Sequence, residues 1–132
     1  MRIACLGTVD YQNKTRIKNF IFEAMQKFGK DLTIVSGGTK DGAEKFIRKF
    51  ALEMGVKYIE YNPAFTQQNL YSAMYKQFYG KKYHVSQLFQ RNRLIAKNSD
   101  VMAYFLDPHT DPETINCLKE MNKMKKPVVI IN

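Results

Sequence analysis

Apolar and polar positions along the chain change period several times. Arg2–Leu6 is a short apolar run closed by Gly7, which predicts a strand running into a tight loop. Ile17, Phe20, Ile21, Ala24, Met25 and Phe28 then fall on one helical face, and Gly29 stops that helix. Leu32–Val35 is too short for a helix and leads into Ser36-Gly37-Gly38, so it reads as a second strand. Ala43, Phe46, Ile47, Phe50, Ala51 and Met54 mark a second helix, ended by Gly55. Val56–Tyr61 is a third strand, closed by Asn62-Pro63. Leu70, Met74 and Phe78, then Val85, Leu88, Phe89 and Ile95, predict two helical pieces around Gly80-Lys81-Lys82. Val101–Leu106 is a continuous apolar run expected at the centre of a sheet. Ile115, Leu118 and Met121 mark the last helix, with Pro112 in its first turn, and Val128–Ile131 is the final strand.

Strands alternating with helices imply a parallel sheet covered on both faces. With right-handed crossovers this is a single Rossmann-like doubly wound α/β domain over residues 1–132, with a mainly parallel sheet of about five strands. At 132 residues, 45% apolar and 25% charged, the chain has the ordinary globular mix and the length for one core. No apolar run reaches the ~18 residues of a membrane span, and the start lacks a signal-peptide pattern. Cys5 and Cys117 sit in apolar patterns far apart, as buried free thiols do, which places the chain in a reducing, cytoplasmic compartment. His84 and His109 lack a second ligand at metal spacing, so no metal and no cofactor are expected.

In such a sheet, ligands bind beyond the carboxyl ends of the strands, near the reversal in strand order. The most informative loop there is Ser36-Gly37-Gly38-Thr39-Lys40-Asp41-Gly42-Ala43, with three glycines between a strand and a helix. Glycines let a backbone approach a ligand closely, and a helix start offers free N–H groups to an anion. It is neither a Walker loop nor a GxGxxG fingerprint, and a tight turn needing positive φ would use the same residues.

Read together with Gly7 after strand one and Arg91-Asn92 ahead of Ser99-Asp100-Val101, this loop resembles the SLOG superfamily, in particular its small YspA-like members. The resemblance spans nearly the whole chain. The superfamily includes the LOG phosphoribohydrolases and the DNA-processing protein DprA. It implies binding of a nucleotide or nucleotide-derived small molecule, as a sensor or sequestering protein. The ligand-binding residues it implies are Gly7, Thr8, Ser36, Gly37, Gly38, Thr39, Asp41, Arg91, Asn92 and Thr110.

The chain departs from the family after the fourth strand. Asp107-Pro108-His109-Thr110-Asp111-Pro112-Glu113-Thr114 has no glycine where such proteins carry Gly-Thr for phosphate, and the LOG pattern Pro-Gly-Gly-x-Gly-Thr-x-x-Glu is missing. Thr110 and Glu113 at this spacing also form a capping box. The strand, Asp-containing loop and acidic helix start here are also similar to those of nucleoside deoxyribosyltransferases, and that second resemblance implies an enzyme of the N-glycosidic bond, a nucleoside or nucleotide hydrolase or a deoxyribosyltransferase-like protein, with Asp107, Asp111 and Glu113 as candidate catalytic carboxylates by position. That enzyme is the alternative function, and the catalytic residue stays open among the three.

Arg91 can bind a phosphate through its planar fork and Asn92 a base or ribose; the alternative is a solvated basic helix face with Asn92 as an internal cap. From Tyr61 to Ser99 there is no Asp or Glu, while Lys76, Lys81 and Lys82 alternate with Tyr71, Tyr75, Phe78, Tyr79 and Tyr83. Such a segment suits a nucleotide pocket, a homo-oligomer interface or, third, nucleic acid. The net charge of +9 is spread along the chain and does not mark a groove.

Overall fold

The structure is a computed structural model and describes residues 1–107 and 111–132. Strands β1 (Arg2–Gly7), β2 (Thr33–Ser36), β3 (Lys57–Glu60), β4 (Val101–Phe105) and β5 (Val128–Ile131) form one sheet in the order β3-β2-β1-β4-β5. All neighbours are parallel, with Ala4 opposite both Val35 and Met102, and Ser36 opposite Glu60. The connecting helices are α1 (Lys14–Phe28), α2 (Ala43–Glu53), α3 (Val85–Lys97) and α4 (Pro112–Lys123). The order reverses between β1 and β4, as the doubly wound expectation requires.

The period-two alternation of β1 divides the core. Ile3 and Cys5 face the cluster built with Ile17 and Ile21 of α1 and Ile47 and Phe50 of α2. Ala4 and Leu6 face the opposite cluster, with Ile95 and Ala96 of α3 and Cys117 and Met121 of α4. Each strand of the centre thus buries both faces, which is why the strands read as continuous apolar runs. Cys5 and Cys117 are buried free thiols on opposite faces of the sheet. Among the described residues no helix is long and apolar enough to cross a membrane.

Two local expectations are corrected. The first helical piece around Leu70–Phe78 is absent; that stretch holds a single 3-10 turn, Lys76–Phe78. Its apolar residues do not share a face. Tyr71 packs on the α1/α2 cluster and Met74 on the α3/α4 cluster, so they pin a loop from both sides. The loop also pairs with the sheet edge: Glu60 N–H donates to Tyr71 O (2.8 Å) and Ala73 N–H to Glu60 O (2.6 Å). The capping box is the second correction. Asp111 is the N-cap of α4, its Oδ1 accepting from Thr114 N–H at 2.7 Å, with Pro112 behind it. An Asp at this position satisfies a helix donor that water would otherwise take.

Candidate functional site

The carboxyl ends of β1 and β4 are stitched together. Thr8 N–H donates to Phe105 O (3.0 Å), and Asp107 N–H donates to Thr8 Oγ1 (3.1 Å). Thr8 O accepts from Ala43 N–H, the start of α2, at 3.2 Å. Gly7 lies against Phe105, where a Cβ would stand 2.6 Å from the carbonyl oxygen. Gly7 and Thr8 therefore hold three loops in register. Beside them a cleft of about 470 Å³ opens between Tyr11, Gln12, Asn13, Leu106, Asp107 and Asn132. That volume falls within the usual range of small-molecule sites.

The loop Ser36–Gly42 lies on the other side of β1. Gly42 has φ 73° and Gly38 φ 69°, a region that residues with a Cβ avoid. Gly37 lies on the Arg91 guanidinium and on Glu44 Oε1, leaving no space for a side chain. Gly38 covers Glu60 and Asn62. Thr39 N–H donates to Glu44 Oε1 at 3.3 Å, and Asp41 is exposed. The Ser36 hydroxyl is buried without a hydrogen-bond partner among the described residues.

Under this loop sits a buried arginine. Arg91, on α3, has no solvent exposure. Its Nε donates to Asn92 Oδ1 (3.2 Å), Nη1 donates to Gly37 O (3.3 Å) and pairs with Glu44 Oε1 (3.7 Å), and Nη2 pairs closely with Glu113 Oε1. Asn92 Nδ2 donates to Asn116 Oδ1 of α4 at 3.1 Å. The solvated basic face is thereby excluded for Arg91 and Asn92; Arg93, by contrast, is exposed and approaches Glu120. Burial opposes the arginine charge, but Glu44 and Glu113 outweigh it and hold the group ionised. Burial raises the Glu44 carboxyl above its ordinary value, with Glu113 adding to the rise and Arg91 opposing it.

The three carboxylates expected from the sequence are spread apart in role. Asp111 caps α4 and Asp107 lies by Thr8, while Glu113 alone reaches Arg91. Thr110 lies outside the described residues.

Two carboxylates of the site escaped the sequence reading. Glu44 follows the glycine loop on the first turn of α2, and Glu60 ends β3 with no exposure at all. Glu60 Oε1 accepts from Tyr58 OH (2.8 Å), and Oε2 accepts from Asn62 Nδ2 (2.7 Å) and Asn69 Nδ2 (2.9 Å). Arg48 Nε stands 3.5 Å from Oε1. Asn62 Oδ1 in turn accepts from Ser72 Oγ (2.7 Å) and Tyr79 OH (3.1 Å). A charged residue at an inward strand position, two residues before an Asn, was the available signal.

The acid-free segment divides into anchors and exposed rings. Tyr61 and Met74 are buried, whereas Tyr75 and Tyr83 are exposed. The exposed rings pair edge-on or tilted, Phe65 with Tyr83 (4.8 Å between centroids) and Tyr75 with Phe78 (6.2 Å).

No family model and no curated protein matches the chain. Solved structures do. DNA processing protein A from Helicobacter pylori, described for its single-stranded DNA binding mode, matches at 20% identity with a TM-score of 0.73, over 98% of this chain and 64% of that one. The molybdenum cofactor binding protein of the phototrophic bacterium Rippkaea orientalis matches at 15% identity and TM-score 0.71, over 98% and 74%. The molybdenum cofactor carrier protein of Chlamydomonas reinhardtii matches at 20% and 0.66, over 98% and 74%. At these identities the likeness establishes the fold alone: this chain shares a Rossmann-like α/β architecture with DNA processing protein A and with the molybdenum cofactor binding and carrier proteins.

Proposed function

We propose that the chain binds a nucleotide or nucleotide-derived small molecule at the carboxyl end of its sheet, as a sensor or sequestering protein. The site comprises the Ser36–Thr39 loop with Asp41, the Gly7–Thr8 turn, and Arg91 with Asn92. One observation carries this reading. A fully buried arginine, two carboxylates and the Glu60–Asn62 network are gathered under a glycine loop beside the reversal in strand order. Buried ion pairs of this kind are often no more stabilising than an apolar core would be. A turn with a purely structural role needs none of them, and folds concentrate such departures at functional sites. Neighbours in fold bind the molybdenum cofactor or single-stranded DNA, which agrees with a ligand site on this scaffold. The test is mass spectrometry of small molecules released from the purified protein, with calorimetry against nucleoside monophosphates. A nucleotide-derived compound is expected; a ligand-free protein that binds none of the panel overturns the reading.

A second reading is an enzyme of the N-glycosidic bond. Glu44 and Glu113 share Arg91, and burial favours the acid form of Glu44 while Glu113 reaches solvent. Two carboxylates held in unlike environments suit acid and nucleophile roles. Release of free base from a nucleoside monophosphate supports it, and intact substrate after long incubation ends it.

A further inference from the structure

The partners of Arg91 are not equivalent. Gly37 O belongs to the main chain. Glu44 is only 4% exposed and its Oε1 also accepts from Thr39 N–H. Glu113 differs on both counts. Its side chain is 30% exposed, and among the described residues Arg91 is the partner that its carboxylate contacts. It stands on the first turn of α4, ahead of which Asp111 caps the helix.

Resting on the nucleotide reading, we propose that Arg91 is the anion subsite of this ligand site and that the Glu113 carboxylate fills it in the free protein, to be displaced by an anionic group of the ligand such as a phosphate. Of the partners that Arg91 contacts, Gly37, Glu44 and Asn92 are buried, and Glu113 is the one that reaches solvent. Glu113 is the closer of the two carboxylates on this buried guanidinium, Glu44 standing at 3.7 Å, so loss of Glu113 without a replacement leaves Nη2 poorly compensated. A carboxylate and a phosphate both match the planar fork, and one replaces the other without leaving Arg91 uncompensated. The start of a helix also favours an incoming anion at the place Glu113 vacates. Simultaneous occupancy is disfavoured, because ligand and Glu113 would bring like charges to one fork.

The sign of one substitution decides. Glu113→Gln keeps the size and removes the competing charge. Affinity is measured by calorimetry for three probes: adenosine 5′-monophosphate, inorganic phosphate and adenosine. The variant is expected to bind the two anions about ten-fold more tightly, roughly one charge-assisted hydrogen bond of competition, and adenosine unchanged. Phosphate should also raise the melting temperature of Glu113→Gln more than that of the wild type, a readout that confirms a folded variant. A structural or catalytic Glu113 gives no gain, so equal or weaker anion binding by a folded variant overturns the proposal. If the wild type binds the monophosphate and adenosine alike and Glu113→Gln changes neither, masking is wrong and the nucleotide reading stands. If the variant gains phosphate affinity but no nucleoside or nucleotide binds better than phosphate, the masked subsite stands and the nucleotide reading falls. If neither protein binds any probe, both fall.

Discussion

Gly38 stands directly over Glu60: a Cβ at Gly38 would lie 2.6 Å from Glu60 Oε2 and 2.8 Å from Asn62 Nδ2. The glycine loop and the end of β3 are thus one unit, although twenty-two positions separate them in sequence. Both the positive φ and the contact forbid a side chain. Gly38→Ala is expected to cost about 1–2 kcal/mol from the backbone alone, lowering the melting temperature by roughly 3–8 °C, with more from displacing Glu60. Gly38→Val should lose both ligand binding and stability, so calorimetric melting must accompany any binding assay on it.

Glu60 is expected to govern the long loop after β3. Glu60→Gln turns an acceptor toward two amide donors, Asn62 and Asn69, into a group with its own donors. A cost of about 1–3 kcal/mol is expected in urea unfolding. Limited proteolysis should show faster cutting between Thr66 and His84 in the variant, and an unchanged cleavage pattern would contradict the role given to the network.

Glu44 sets a pH dependence of known sign. Its folded-state pKa is raised, chiefly by burial, above the ordinary 4.5. Between the unfolded and folded values the native state holds the extra proton, so this group's contribution to stability falls as pH rises above about 4.5 and levels off past the folded value. Glu44→Gln should flatten that part of the stability profile. A profile with the same slope in both proteins would show that other groups produce it.

Burial lifts both thiols well above their ordinary values, Cys5 most simply and Cys117 with Arg91 opposing the rise. Thiolate is the reactive form, so a disulfide reagent such as DTNB is expected to modify neither in the native protein and both after denaturation. Rapid native labelling at either position would place that thiol at the surface.

Self-association is the fifth expectation. Tyr75 and Tyr83 are 73% and 67% exposed in a segment without acids, rings of the type enriched at interfaces. Light scattering should give a mass above 15.4 kDa at high concentration, reduced by Tyr75→Ser with Tyr83→Ser. A strict monomer at all concentrations would remove the oligomer proposal.

The sequence by itself determined the strands, their helices and the placement of the glycine loop at a strand end. Those features are local: apolar period, a stop glycine and chain connectivity decide them, and right-handed crossovers leave few ways to join five strands. It did not determine the stretch from Thr66 to His84, whose apolar residues resemble a helical stripe but anchor a loop to two different cores. Nor did it reveal the burial of Glu60 or the partners of Arg91. Arg91 meets Gly37, 54 residues away, and Glu113, 22 residues away, because the order β3-β2-β1-β4-β5 brings the loops after β2 and β4 to the same end of the sheet as α3 passes beneath. Which charges face one another there is a property of the folded sheet, since no periodicity along the chain records the distance between two loops.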